Sequence, residues 1–173
     1  MGPAVSFQIG ERVVYPNHGV GTIENISTRS FGPRTERFYL LKLAANSLTV
    51  MVPFSHVGDV GLRKVTRHSE IQRVLDFLSG GHCQTCADWK NRFKENSEKM
   101  RVGALIEIAE VMKGLLTQQR DKPLSFREKK MLDRARHMLL NEVSSSRGAS
   151  LDEAAGVLRK ALSKAQLPFP EPL

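Results

Sequence analysis

The 173-residue chain reads as an α+β protein, with a small five-stranded Tudor- or SH3-like β-barrel at the N-terminus and a compact bundle of about five helices after it. Three observations predict this. The first third holds short β-branched and aromatic runs separated by Gly, Pro and Asn. After Leu62 the apolar period changes from 2 to 3.6 residues, and each later segment carries a single apolar stripe. A boundary near Thr66 follows, giving a barrel domain over 1–66, a helical domain over 67–166 and a nonhelical tail over 167–173.

In the barrel region the strand runs are Arg12 to Tyr15, Val20 to Ile26, Phe38 to Leu43 and Leu48 to Val52. Pro16 to Gly19, Phe31-Gly-Pro-Arg34 and Ala45 to Ser47 supply the turns, because Gly and Asn tolerate positive φ and Pro presets the chain direction. Sheets this short cannot bury two faces, so they curl into a small barrel. Such a barrel leaves edges that can accept a strand from a partner. Ser27 to Arg29 and Met51 to Pro53 are the edge segments, and Pro53, which cannot donate to a central ladder, suits an edge or a strand end. On sequence alone both segments fit a simple strand end equally well.

In the helical region Ile71, Val74, Leu75 and Leu78 define a first helix stopped by Gly80-Gly81. Cys86 to Arg101 reads as a second helix and holds the chain's single tryptophan; counted at 100° per residue, Phe93, Asn96 and Met100 fall within about 40° of Trp89. That stripe can be core, or Phe93 and Met100 can pack inward while Trp89 projects as an apolar wedge among cations. Periodicity leaves both open. Leu105, Ile108, Met112 and Leu115 mark a third helix. Ser125-Phe-Arg-Glu128 is a capping box that starts a fourth, carrying Leu132, Ala135 and Leu139 inward. Ser150-Leu-Asp-Glu153 repeats the device for a fifth, with Leu151, Ala155, Leu158 and Leu162 inward.

The net charge of +8, from 26 Lys+Arg against 18 Asp+Glu, points to a polyanionic partner. Residues 1–66 carry only +3 of it, whereas 87–136 hold 13 Lys/Arg and 8 Asp/Glu, a net of +5. Lys90, Arg92 and Lys94 surround Trp89, and Arg127, Lys129 and Lys130 crowd the start of the fourth helix, where free N–H groups also favour phosphate. The helical half is therefore the nucleic-acid module, unless these runs are only a solvated face. No apolar run approaches a membrane span or a signal-peptide core, so a soluble, cytoplasmic protein without a membrane role is expected.

Clustered acids, a phosphate-cradling glycine loop and a Ser/His/Asp grouping are all missing from the barrel region, and an enzyme is not expected, nor a cofactor. Cys83-Gln-Thr-Cys86, preceded by His82, could suggest metal or redox chemistry. A structural zinc site needs four ligands, and there is no second Cys-x-x-Cys or spaced His pair; His68 would have to complete the set. A dithiol reductase would place the motif after a strand of a βαβ unit, which this sequence lacks. A metal site is thus not expected.

Five segments together resemble the CarD/CdnL family of bacterial transcription regulators over nearly the whole chain. They are Gly10-Glu-Arg-Val-Val-Tyr-Pro-Asn-His-Gly-Val-Gly21, Val52-Pro53 with Val57-Gly-Asp-Val-Gly-Leu-Arg63, Asp88-Trp-Lys-Asn-Arg-Phe-Lys94, Ile108-Ala-Glu-Val111, and Leu124-Ser-Phe-Arg-Glu-Lys-Lys-Met-Leu132. The resemblance implies a monomer whose barrel pairs with the β subunit of RNA polymerase and whose helical domain touches promoter DNA at the upstream edge of the bubble, placing it with the nucleoid. It implies that Trp89 is a minor-groove wedge holding the open complex. It implies too that Arg92, Lys94 and Lys129, with Lys90, Asn91 and Lys130 beside them, meet DNA, and that Arg29, Met51 and Pro53 face polymerase. Asn91 stands where family members often carry arginine, and Met51 where some do. A different class, an RNA- or ribosome-associated protein built from a small barrel and basic helices, would need several aromatics on a sheet to stack bases, a surface hard to build from Trp 1, Tyr 2 and Phe 8.

Overall fold

The computed structural model describes residues 6–16, 18–44, 47–80 and 89–172, with the side chains of 89, 90 and 102 not included. The chain divides into two compact units, residues 1–65 and 66–173.

The first unit is one antiparallel sheet of strands β1 (Arg12–Tyr15), β2 (Gly19–Phe31), β3 (Arg34–Leu43), β4 (Thr49–Pro53) and β5 (Arg63–Lys64), in the order β4-β3-β2-β1-β5. A 3-10 turn, Phe54–His56, and a short helix α1, Val57–Val60, lie between β4 and β5. β2 and β3 run further than the hydrophobic pattern suggested, because their distal halves are two-sided and polar and so lack a clear alternation. The register from Phe31↔Arg34 leaves a two-residue turn, with Gly32 at φ 60 followed by Pro33, as a type II′ hairpin needs. A register shift between Ile23 and Asn25 bends β2. Gly21 permits this close packing: a Cβ there would meet Leu41 Cδ1 at 2.7 Å and the Lys42 carbonyl oxygen at 2.9 Å.

Alternation sends Val13, Ile23, Tyr39, Leu41, Leu43 and Val52 into a small core closed by Phe7, Val57 and Leu62. Tyr39 satisfies its hydroxyl by accepting from Phe7 N–H at 3.0 Å and stacks on Phe54 with ring centroids 4.2 Å apart. β5 has only two residues, too few to leave a sequence pattern.

The second unit is a bundle of α2 (His68–Gly80), α3 (Trp89–Val102), α4 (Leu105–Asp121), α5 (Phe126–Arg147) and α6 (Leu151–Lys164). The expected inward residues of α2, α4 and α5 are buried. In α6 the stripe is rotated: Ala154, Leu158, Ala161 and Leu162 are buried, while Leu151 is 52% exposed at the helix start and Ala155 only half-buried. The α5 capping box is complete, with Ser125 Oγ accepting from Glu128 N–H at 3.3 Å and Glu128 Oε1 from Ser125 N–H at 3.2 Å. At α6 only the serine half is made, Ser150 Oγ accepting from Glu153 N–H at 3.1 Å. After α6 the chain is nonhelical, yet Leu167 is buried and Phe169 packs against the bundle under the guanidinium groups of Arg136 and Arg159.

Two charged side chains lie deep in this unit among the described residues: Lys113, which donates to the Phe77 carbonyl at 2.6 Å, and Glu142. Glu142 of α5 is 1% exposed and accepts from Thr66 N–H at 2.8 Å and from the Thr66 hydroxyl, while Ser146 Oγ donates to the Thr66 carbonyl at 2.6 Å.

Candidate functional site

Two surfaces carry the residues singled out by sequence, one on each unit. On the sheet, the register sets Met51 opposite Leu40 and Asn25, Pro53 opposite Phe38 and Ser27, and Arg29 opposite Glu36. Directly opposed residues share a face and side chains alternate along a strand, so Arg29, Met51 and Pro53 all lie on the face away from Tyr39, Leu41 and Val52. β4 is an edge strand, and beyond Ile23 β2 pairs only with β3 among the described residues. Both expected edge segments therefore have one side without a neighbouring strand.

The same outer face holds Phe31, exposed at the hairpin tip and edge-on to Phe38 at 6.1 Å, together with Leu40. These apolar residues make a patch flanked by Arg29 and Arg34. Leu40 was not read as a surface residue, since an aliphatic side chain on a short strand looks like core, and Phe31 was placed only in a turn; Phe38 between them is buried.

On the helical unit, α3 meets the first turn of α5 at Phe93 and at Arg92. Arg127 stacks its guanidinium over Phe93, 4.1 Å from the ring centroid, and Arg92 Nη2 lies 3.9 Å from Glu128 Oε2. Asn91, Lys94, Lys129 and Lys130 are exposed on this surface. Arg92 is not, at 19% side-chain exposure. Phe93, expected inward, is half-buried beneath Arg127, and Met100 is the α3 residue that enters the core. Trp89 and Lys90 begin α3, but their side chains are outside the described residues.

Two residues of this surface were not singled out as functional. Phe126, at the first position of α5, is 65% exposed with Lys130 Nζ 4.7 Å from its ring. Glu128, 14% exposed, accepts from Gln118 Nε2 of α4 at 2.9 Å in addition to its capping bonds and its approach to Arg92. Burial works against its charge, but the hydrogen bonds from Gln118 and Ser125 and the positive charge of Arg92 outweigh it, and its carboxyl sits below the ordinary value.

Cys83 and Cys86 lie outside the described residues. Among those described, no group of three or more His, Cys, Asp or Glu could hold a metal ion, and no helix is long and apolar enough to cross a membrane.

The two units match two known families in turn. Residues 7–66 match the CarD-like/TRCF RID domain, and residues 73–159 match the CarD C-terminal domain. The chain is 34% identical over 142 residues to a Bacillus subtilis (strain 168) protein named "Putative transcription factor YdeB", covering 82% of this chain and 93% of that one. With a sheet unit and a helical unit each matched in the order CarD proteins carry them, the chain belongs to the CarD family of transcription regulators.

Proposed function

We propose that this protein stabilises the open promoter complex, binding the RNA polymerase β subunit through the outer face and β4 edge of its sheet and holding DNA at the upstream fork of the bubble with α3 and the start of α5. Trp89 enters the minor groove there. The observation that carries the reading is the contact of α3 with the first turn of α5, Phe93 beneath Arg127 and Arg92 beside Glu128, with Lys94, Lys129 and Lys130 exposed on these two segments. Together with Lys90 and Asn91 they supply backbone contacts, while Arg92, on the same helix, is engaged by Glu128.

The energetics fit a tethered weak binder. Unstacking a base step costs a few kcal/mol, and a handful of phosphate contacts would not hold a melted fork alone. Docking on polymerase raises the local concentration of the helical unit at the promoter, so weak DNA contacts suffice. Shifting the closed-to-open equilibrium by about 1.4 kcal/mol raises the open fraction's ratio tenfold.

The test pairs Trp89→Ala with Lys94→Glu on one promoter. Trp89→Ala is expected to stay folded and polymerase-bound but to lose most of the gain in open-complex lifetime. A core tryptophan cut to alanine would instead cost about 3–5 kcal/mol of stability. Lys94→Glu is expected to weaken DNA engagement and reduce its salt dependence by roughly one phosphate's share. A Trp89→Ala protein with the parent's open-complex lifetime, or one that melts far lower, refutes the wedge.

A further inference from the structure

Little of the described N-terminal half of α3 is buried: Asn91 and Lys94 are exposed and Phe93 is half-buried. Met100 anchors the other end in the core, and Lys99 Nζ reaches Glu110 of α4 at 2.7 Å. From Asn91 to Lys99 no side chain is fully buried. Two contacts near the Trp89 end run to α5, Phe93 beneath Arg127 and Arg92 against Glu128. Glu128 is itself fixed twice over, by the capping bonds to Ser125 and by Gln118 of α4. One carboxylate thus joins α3, α4 and α5 at the point where the wedge helix meets the basic helix. A charged pair this sheltered keeps its geometry far better than an exposed one, since solvent competes little for either partner.

We infer that Glu128 is a positioning residue: it holds Arg92 so as to set the angle at which α3 presents Trp89 to DNA, and Arg92 acts through Glu128 rather than on a phosphate. This rests on the DNA-facing role proposed above for α3 and α5. Glu128 touches no nucleic acid in this scheme. Its negative charge within a basic surface opposes DNA binding in simple electrostatic terms, so the two roles predict opposite signs for its removal.

Glu128→Gln separates them. Glutamine at this position preserves the capping box, so α5 keeps its start while Arg92 loses its counter-charge. If Arg92 were a phosphate contact held in check by Glu128, the substitution would free it and lengthen the open-complex lifetime. As a positioning pair, Glu128→Gln and Arg92→Gln each shorten that lifetime by about two- to fivefold. The double variant is then no worse than either single one, because both remove the same contact.

The experiment measures open-complex lifetime and its salt dependence with the full chain and polymerase, alongside Trp89→Ala. It also measures fluorescence anisotropy of the free protein, in which Trp89 is the sole tryptophan. Expected are shortened lifetimes with an unchanged salt slope, and lower tryptophan anisotropy in both Gln variants as the end of α3 loosens. A lifetime equal to or longer than the parent's in Glu128→Gln, with Trp89→Ala still defective, overturns the inference and leaves the wedge standing. So does a salt slope that falls by about one in Arg92→Gln, the mark of a lost phosphate contact. If Trp89→Ala matches the parent, the wedge itself fails; the anisotropy then still decides, and no change in it overturns the role of Glu128.

Discussion

Glu128 must remain ionised in a sheltered place, which makes the junction of α3 and α5 sensitive to acid. Its folded pKa lies below the ordinary carboxylate value of about 4.3 that the unfolded chain restores. A group depressed on folding contributes stability that is fully present above the unfolded value and is lost as pH falls through the folded one. The parent is therefore expected to melt above Glu128→Gln at neutral pH, with the gap closing as pH drops below about 5. Calorimetry across a pH series checks this, and a gap that widens on acidification contradicts it. Such a role was only half legible. Ser125-x-x-Glu128 announced a capping box, but the approach of Arg92 and Gln118 depends on three helices meeting, which no local spacing records. Trp89 was the reverse case, conspicuous as a single aromatic among cations, with its surroundings decided by tertiary structure.

At the scale of elements, the surface proposed to face polymerase is a property of strand register. Two residues of drift would leave Met51 and Pro53 in place on their face, whereas one would exchange them with the buried Val52. Met51→Asp is expected to weaken binding to polymerase by about 1 kcal/mol or more, since it puts a charge amid Phe38, Leu40 and Pro53 without touching the core behind. Titration of labelled protein with polymerase core enzyme measures it, and unchanged affinity would remove this face from the interface. The turns and period-2 runs made this sheet readable, and the 3.6 period did the same for α2, α4 and α5. The phase of α6 was misjudged because Leu151 outweighs Ala154 on any hydrophobic scale, although the alanine is the one buried. Small residues let helices approach closely, and a pattern weighted by size underrates them.

At the scale of the molecule, the proposed function divides recruitment from action between the two units, and variants in each are expected to fail differently. Arg29→Glu, on the sheet, is expected to be restored by raising protein concentration, because it lowers occupancy of polymerase and leaves the bound protein competent. Trp89→Ala is expected to remain defective at saturation. Open-complex lifetime measured against concentration distinguishes the two, and identical curves would refute the division. The buried Glu142 bears on this division as well. Lys64 is the last residue paired in the sheet, and Thr66 already spends its N–H, hydroxyl and carbonyl inside the helical unit. Val65 alone lies between, so the tether has almost no slack. Inserting a few Gly and Ser residues after Val65 is expected to leave polymerase affinity and the melting of each unit intact while shortening open-complex lifetime; equal lifetimes with and without the insert would show that slack is harmless. Glu142, further along α5 than Lys129 and Lys130 and in neither proposed contact surface, thus works as the knot that fixes the length of the rope.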